Sequence, residues 1–306
     1  RFRAVWVKGD CVPQNAEEST ACAEWNELLK GSPLTIPART RVRALWDFEG
    51  YFPAYSRVVL SKGKGSSVGL LWAESLFEDV NSDVPLIKGD RAEIAGKRFY
   101  GFGDTIVQHG EEQMVYRPLW WRSGRYLLLD IETRSEALRI DALDIIETRY
   151  PLDVTGAFSC SDALINRTIP LALRGIKACS HETFIDCPYY EQLMYPGDTR
   201  LQMLVTHCLT RDTRLVKRCI DLFGWSRWYD GLVMMRYPTH PLQVSITFGF
   251  YWVLQMRDFA WWRNDPEFVR SHLPGVRSYL EQVIGLIDKN GLLGVLPGWS
   301  FIDWVH

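Results

Sequence analysis

The sequence predicts a chain of two domains, an antiparallel β domain followed by an all-α domain. The 306 residues are 47% hydrophobic and 24% charged, which is typical of a globular protein with room for about two domains. Residues 41–149 contain short β-branched and aromatic runs separated by turn residues. After Ser159 the apolar residues recur at helical spacing, so the class of structure changes near Pro151.

A β-sandwich is predicted for residues 41–150. The strand candidates are residues 57–60, 68–72, 125–129 and 138–142. Pro151 closes the region because a proline restricts the residue before it to extended geometry. Residues 1–40 carry only a weak helical pattern over 21–29, so we leave them unassigned, as the tail of an upstream domain.

Residues 151–306 are predicted to be helical. Five helical segments are expected at about residues 162–178, 199–209, 212–224, 243–263 and 266–288. Ser161 or Asp162 can cap the first segment, and Asp265 with Pro266 opens the last. A broad apolar face is predicted on the first helix, formed by Leu164, Ile165, Ile169, Leu171, Leu173 and Ile176. Core packing is favoured for the tryptophans at helical spacing, Trp225, Trp228, Trp252, Trp261 and Trp262.

Charge and motif content exclude several classes of function. With 35 basic and 37 acidic residues, nothing predicts attraction to nucleic acid, and no apolar run approaches the ~20 residues of a membrane span. The seven cysteines include no CxxC pair and are interpreted as buried thiols rather than as disulfides or zinc ligands. The histidines lack metal-ligand spacing, so neither a catalytic metal nor a cofactor is expected. A Gly-x-Ser-x-Gly elbow is absent and Cys187 precedes a proline, which disfavours a catalytic Ser or Cys.

The segment from His181 to Arg200 carries the chemistry. It joins two predicted helices and contains four carboxylates, two prolines, a glycine and three tyrosines. Such connections lie at the surface, where catalytic groups concentrate. Carboxylates among aromatic faces suit sugar chemistry, because one acid protonates the leaving oxygen while others hold hydroxyls and stabilise the developing positive charge.

Each of these residues also has a purely structural interpretation. Asp198 precedes an apolar helical run and is a possible N-cap, worth about 1 kcal/mol. Glu191 is a possible solvated loop acid, and Asp186 before Cys187-Pro188 is a possible turn former. Tyr195 is equally suited to core packing and to a sugar face.

Several motifs together resemble one family. Asp186-Cys187-Pro188, followed by Glu191 at plus five and Gly197-Asp198 at plus eleven and twelve, resembles the signature segment of bacterial α-L-rhamnosidases, glycoside hydrolase family 78. Residues 88–97, 120–126 and 147–151 resemble the β-sandwich of that family. Residues 230–232, 265–269 and 299–304 resemble its barrel. The resemblance covers roughly residues 41–306.

The resemblance implies an (α/α)6 six-hairpin glycosidase barrel and inverting hydrolysis that releases terminal α-L-rhamnose from a glycoside or oligosaccharide. By this analogy Glu191 is the general acid, and Asp186 and Asp198 hold rhamnose hydroxyls. Tyr195 stands where the family usually has a tryptophan facing the sugar. The same cavity is expected to be lined by Trp299, Asp303 and Trp304.

This chain departs from the family pattern in two respects. The family often carries an arginine on each side of the acid, where this chain has Tyr190 and Gln192. Only five helical patterns follow residue 159 where a full barrel has twelve, so we expect a truncated barrel. The general base, a downstream glutamate in the family, is then expected beyond residue 306, and unpartnered helix faces are expected to cause self-association or pairing with a missing half.

Two alternatives of function remain open at this level. One is a non-catalytic carbohydrate-binding fragment whose acids and rings grip a sugar. The other is a glycosidase of the same fold that acts on another sugar, because uncharged residues flank the acid.

Overall fold

The computed structural model describes residues 3–8, 20–78 and 87–304, and the chain divides into two compact units, Arg1–Thr148 and Arg149–His306. The first unit contains β1 (Arg3–Val7), α1 (Thr20–Leu28), β2 (Leu34–Ile36), β3 (Arg41–Lys62), β4 (Ser67–Ala73), β5 (Phe102–Val107), β6 (Met114–Tyr116), β7 (Arg122–Glu132) and β8 (Leu138–Glu147). The second contains α2 (Ala163–Ala178), α3 (Pro196–Leu209), α4 (Arg214–Trp225), α5 (Ile246–Trp262) and α6 (Pro266–Ile284).

The first unit is built on one long strand, β3, that serves two groups of neighbours. Its first half pairs with β1 and β7, and its second half pairs with β6 and β8, in antiparallel register throughout. The register shifts between Asp47 and Phe52, where Glu49 has a φ of 56°. The predicted antiparallel sheet is confirmed.

Alternation along the strands builds the core of this unit. Ala44 and Trp46 of β3 and Leu127 and Leu129 of β7 join one buried cluster, as expected when every second side chain faces inward. The N-terminal residues that the sequence leaves unassigned also lie on this sheet. β1 pairs with β3, β2 pairs with β8, and Trp25 of α1 packs edge-on against Trp46 at 5.7 Å between ring centroids.

The helices of the second unit begin where capping chemistry allows. Asp162 accepts from the N–H groups of Leu164 and Ile165, and Asp265 accepts from that of Phe268, so both predicted caps are confirmed. α3 begins at Pro196, earlier than the predicted start at about 199, because proline fits the first helical turn. Asp198 therefore lies inside the first turn and is not the cap.

The core of the second unit lies among α3, α4, α5 and α6. Its largest fully buried side chains are Phe184, Phe223, Trp252, Phe259 and Tyr279. Of the five tryptophans expected in the core only Trp252 is buried, and the other four are 42% to 80% exposed. The expectation was wrong for those four because helical spacing defines a face without determining what covers it. On α2, likewise, Leu164, Ile165 and Leu171 remain exposed.

Other sequence expectations have mixed outcomes. Cys22 and Cys219 are buried as predicted, whereas Cys160, Cys179 and Cys187 are half-buried and Cys208 is exposed. Cys11 lies outside the described residues. None of the helices in the described ranges has the length and apolar character needed to cross a bilayer. The described part of the second unit contains five helices, so a closed (α/α)6 ring and its truncation stay predictions.

Two helical glycines provide a matched test of packing beneath the loop that precedes α3. A Cβ on Gly197 would lie 2.6 Å from the Phe248 ring, whereas a Cβ on Gly175 meets nothing within 4 Å. Gly197→Ala should lower the free energy of unfolding by about 1–3 kcal/mol through overpacking. Gly175→Ala should raise it by about 0.5–1 kcal/mol through helix propensity. Denaturant unfolding measures both, and equal effects would contradict the close contact.

Candidate active site

A tight turn in the connection between α2 and α3 brings Glu191 back over Asp186. The Asp186 N–H donates to the Leu193 carbonyl oxygen at 2.9 Å, and the Leu193 N–H donates to Asp186 Oδ1 at 3.0 Å. Inside this pair the Gln192 N–H donates to the Cys187 carbonyl oxygen at 3.0 Å, and Gln192 has a φ of 56°. Aspartate favours such turns because its side chain accepts from nearby backbone N–H groups.

The two carboxyl groups of this turn form a pair. Asp186 and Glu191 carboxylate oxygens lie within 4.8 Å of one another, and the neighbouring Glu191 carboxyl adds to the rise in the pKa of Asp186. Burial, more than the adjacent Glu191 charge, raises the pKa of Asp186 to about 6, against the opposing effect of two backbone hydrogen bonds. Glu191 itself is exposed. The pair therefore combines one sheltered acid with one that faces solvent, and such pairs hold a single proton over part of the pH range.

Tyr195 extends the pair by one hydrogen bond. Its hydroxyl donates to Glu191 Oε2 at 2.8 Å. Burial, followed by the hydrogen bond and charge of Glu191, raises the pKa of Tyr195 to about 12, so the hydroxyl remains a proton donor at neutral pH. Tyr195 occupies the N-cap position of α3, and its ring packs edge-on against Phe248 at 6.4 Å.

Asp198 adds a third carboxylate in the first turn of α3. Burial raises its pKa most, and the charges of Asp303 and Glu191 raise it further. The positive end of the helix dipole favours a negative charge at this position. Asp198 is half-buried and Asp303 is exposed.

An aromatic wall, formed by Trp299, Phe301 and Trp304, stands at this end of the unit. The Trp299 and Phe301 rings stack at 4.3 Å, and Trp304 lies edge-on to Phe301 at 5.3 Å. Phe301 also contacts Phe248 at 5.3 Å, which connects the wall to Tyr195. Trp299 is 40% and Trp304 76% exposed, so their rings are available to an apolar surface from solution.

Backbone anchoring fixes this wall. The Trp299 N–H donates to the Val244 carbonyl oxygen at 2.9 Å. The Phe301 carbonyl oxygen accepts from the hydroxyls of Ser245 and Thr247 at the start of α5. The wall is thus held by the same helix end that supports Phe248.

The structure brings the sequence-predicted residues to one end of the second unit. Asp186, Glu191, Tyr195 and Asp198 are linked by hydrogen bonds or by direct electrostatic influence, and Asp303 joins them through Asp198. Trp299 and Trp304 belong to the neighbouring aromatic wall. The part of each residue in binding or catalysis stays a prediction.

Sequence reasoning missed three contributors. Phe248 and Phe301 connect Tyr195 to the tryptophans, and the positive charge of Arg236 lowers the pKa of Tyr195. Nothing in the local sequence indicates these roles, because each residue comes from a different segment. The one available signal was Phe301 between two predicted site tryptophans.

Asp186, Cys187 and Glu191 are the one group within the described ranges with ligand atoms close enough to hold a metal, within 4.8 Å of one another. Burial raises the pKa of the Cys187 thiol, whereas a metal ligand must be a thiolate. The Glu191 N–H also points at the Cys187 sulfur, at 3.4 Å. These features favour a proton-sharing acid pair over a metal site.

Comparison with known proteins identifies the domain that contains these residues. The family model described as the bacterial alpha-L-rhamnosidase 6 hairpin glycosidase domain matches residues 153–306. The residues of the candidate site therefore lie in a six-hairpin glycosidase domain. Because the match covers half of the chain, the chain belongs to the bacterial α-L-rhamnosidase six-hairpin glycosidase family. No curated protein sequence matches the chain.

Solved structures of rhamnosidases share the fold. The GH78 rhamnosidase of Bacillus sp. GL1 matches 89% of this chain at 25% identity, with a TM-score of 0.71. The Klebsiella oxytoca rhamnosidase with rhamnose bound matches 99% at 18% identity, with a TM-score of 0.72. The Streptomyces avermitilis α-L-rhamnosidase complexed with L-rhamnose matches 85% at 17% identity, with a TM-score of 0.54. This chain spans 27%, 59% and 25% of those chains.

The sheltered carboxyl group predicts a pH dependence of stability. Because the folded-state pKa of Asp186 is about 6 and the unfolded value is about 3.9, the folded state binds more protons between these pH values. Stability therefore falls as pH rises through this window. Asp186→Asn keeps the acceptor for Leu193 and removes the charge, so its stability relative to the wild type should rise from pH 4 to pH 7.

Asp212 supplies a control of opposite sign. The Arg214 guanidinium holds the pKa of Asp212 well below its usual range. The advantage of the wild type over Asp212→Asn should be complete near pH 6 and shrink as pH falls below about 4. Urea unfolding at several pH values measures both variants. A constant difference between Asp186→Asn and the wild type would contradict the sheltered acid.

Proposed function

We propose that this chain forms part of an inverting α-L-rhamnosidase in which Glu191 is the general acid. The observation that carries the proposal is the pairing of exposed Glu191 with sheltered Asp186 in a rhamnosidase-family domain. An acid that protonates a leaving oxygen must reach substrate, which Glu191 can do. Burial raises the pKa of the neighbouring Asp186 carboxyl to about 6, so this site keeps a proton next to Glu191 in the mildly acidic range.

The remaining groups take binding roles in this proposal. Asp198 and Asp186 accept hydrogen bonds from rhamnose hydroxyls, and Tyr195 holds Glu191 by its 2.8 Å hydrogen bond. Trp299 and Trp304 offer ring faces to the sugar or its leaving group, with Asp303 between them in sequence. The bound sugars named for the Klebsiella oxytoca and Streptomyces avermitilis structures support rhamnose as the substrate unit.

The domain organisation follows the same proposal. Residues 41–150 form the β-sandwich, and residues 151–306 form the first part of the (α/α)6 catalytic barrel. The general base is proposed to lie downstream of residue 306, on the opposite face of the sugar. In inverting glycosidases acid and base carboxyls stand about 6.5–9.5 Å apart, which leaves room for the attacking water.

The role of Glu191 is tested by varying how much the leaving group needs an acid. In a protein that contains the complete catalytic barrel, the Glu191→Gln variant should have a kcat on 4-nitrophenyl α-L-rhamnopyranoside that is about a hundred- to ten-thousand-fold lower. The loss should be far smaller on α-L-rhamnosyl fluoride, because fluoride departs with little need of a proton from the enzyme.

Glu182→Gln is the matched control, since Glu182 is an exposed acid of the same connection. It should leave both rates unchanged. Equal losses on the two substrates would remove the acid role from Glu191. Rhamnose binding by calorimetry without turnover of either substrate would favour the carbohydrate-binding alternative, for which the exposed tryptophans are the supporting observation.

The position of the base yields a separate prediction. Azide attacks an anomeric carbon without a general base, so it should restore turnover of α-L-rhamnosyl fluoride by the 306-residue chain alone. The product should be the β-L-rhamnosyl azide, because inversion changes the configuration once. Proton NMR identifies the anomer. Full activity of the chain in water without azide would contradict a base downstream of residue 306.

A further inference from the structure

The candidate active site carries an imbalance of charge. Between Ala178 and Thr199 the sequence contains four carboxylates and neither lysine nor arginine. Asp303 adds a further negative charge, which raises the pKa of Asp198. A cation brought near such a cluster from elsewhere in the fold favours the charged form of its carboxyl groups.

Arg236 enters the cluster from the segment between α4 and α5. The Tyr237 N–H donates to the Met194 carbonyl oxygen at 3.2 Å, which places the backbone of this segment beside Tyr195. The neighbouring Met235 N–H donates to the Gln243 carbonyl oxygen at 2.9 Å and fixes the segment from the other side. The Arg236 side chain is half-buried, and its Nε–H is enclosed without a hydrogen-bond acceptor.

The Tyr195 hydroxyl lies between the Arg236 segment and the Glu191 carboxyl group. The hydroxyl donates to Glu191 Oε2 at 2.8 Å, and the Tyr237–Met194 backbone hydrogen bond holds Arg236 near this hydroxyl, whose pKa the guanidinium lowers. Among the residues that the structure describes, the charged and titratable groups beside Glu191 are Asp186, Cys187, Tyr195 and Asp198, and Arg236 acts on Tyr195.

We propose that Arg236 is a positioning residue that acts on Glu191 through the Tyr195 hydroxyl. The guanidinium keeps the hydroxyl directed at Glu191, which in turn fixes the carboxyl that would protonate the leaving oxygen. This role rests on the proposed function of Glu191 as the acid. The guanidinium supplies the cluster with positive charge from a distant part of the sequence.

The first test needs no catalysis. In protein labelled with 13C at Asp and Glu carboxyl carbons, the signal of Glu191 is assigned by its loss in Glu191→Gln, and its titration is followed by NMR. Arg236→Met should move the midpoint to higher pH by roughly half a unit to one unit, because loss of a nearby cation disfavours the carboxylate. An unchanged midpoint in a folded variant overturns the proposal.

The path through Tyr195 is tested by a double-mutant cycle. In the Tyr195→Phe background, Arg236→Met should move the midpoint by less than half as much as in the wild type, since the connecting hydroxyl is gone. Additive shifts would mean that Arg236 acts on Glu191 or on the substrate directly, and would overturn the positioning role. Arg236→Lys, which keeps the charge without the planar fork, should lie between the wild type and Arg236→Met.

Kinetics in the longer protein separate this inference from the proposed function. Arg236→Met should lower kcat on 4-nitrophenyl α-L-rhamnopyranoside about tenfold, change kcat on the fluoride less than about twofold, and move the alkaline limb of the pH profile upward. Equal losses on both substrates would assign Arg236 to substrate binding.

The control is Arg277→Met, which removes an exposed arginine paired with Glu281. If the wild type hydrolyses neither rhamnoside, the proposed function fails while the NMR titration still decides the Arg236–Tyr195 coupling.

Discussion

The candidate active site in the second unit depends on the turn that Asp186 closes. One residue both donates its N–H to Leu193 and accepts the Leu193 N–H on its carboxylate. Because both hydrogen bonds join Asp186 to Leu193, the residues between them form a turn that places Glu191 beside Asp186. The same carboxyl group is partly buried, and this burial raises its pKa to about 6.

The start of α3 directly after the turn brings two further site residues next to Glu191. Pro196 opens the helix, Tyr195 stands at its N-cap, and Asp198 lies in its first turn, where the helix dipole favours a carboxylate. Gly197 lets the Phe248 ring approach the helix start closely. Phe248 also packs against Phe301 of the aromatic wall. The start of α3 and the aromatic wall therefore both rest on Phe248.

Burying several carboxylates together is costly, and the fold offsets the cost in ways that also serve chemistry. Hydrogen bonds from backbone N–H groups, the helix end and the Tyr195 hydroxyl stabilise the charged forms. The exposed position of Glu191 keeps one acid in contact with solvent. The sheltered and the open acid both lie within residues 153–306, which match the bacterial α-L-rhamnosidase six-hairpin glycosidase family.

The sequence by itself determined the class of each half, the helix caps at Asp162 and Asp265, and the local group Asp186, Glu191, Tyr195 and Asp198. These features depend on residues close together in the chain, where periodicity, capping and turn chemistry act directly. Only the tertiary structure decided that Trp252 is buried while Trp225 and Trp261 are not, because spacing defines a helix face and not its partner. Only the tertiary structure brought Arg236 to Tyr195 and Phe301 to Phe248, since these pairs are 41 and 53 residues apart and meet through packing of the second unit.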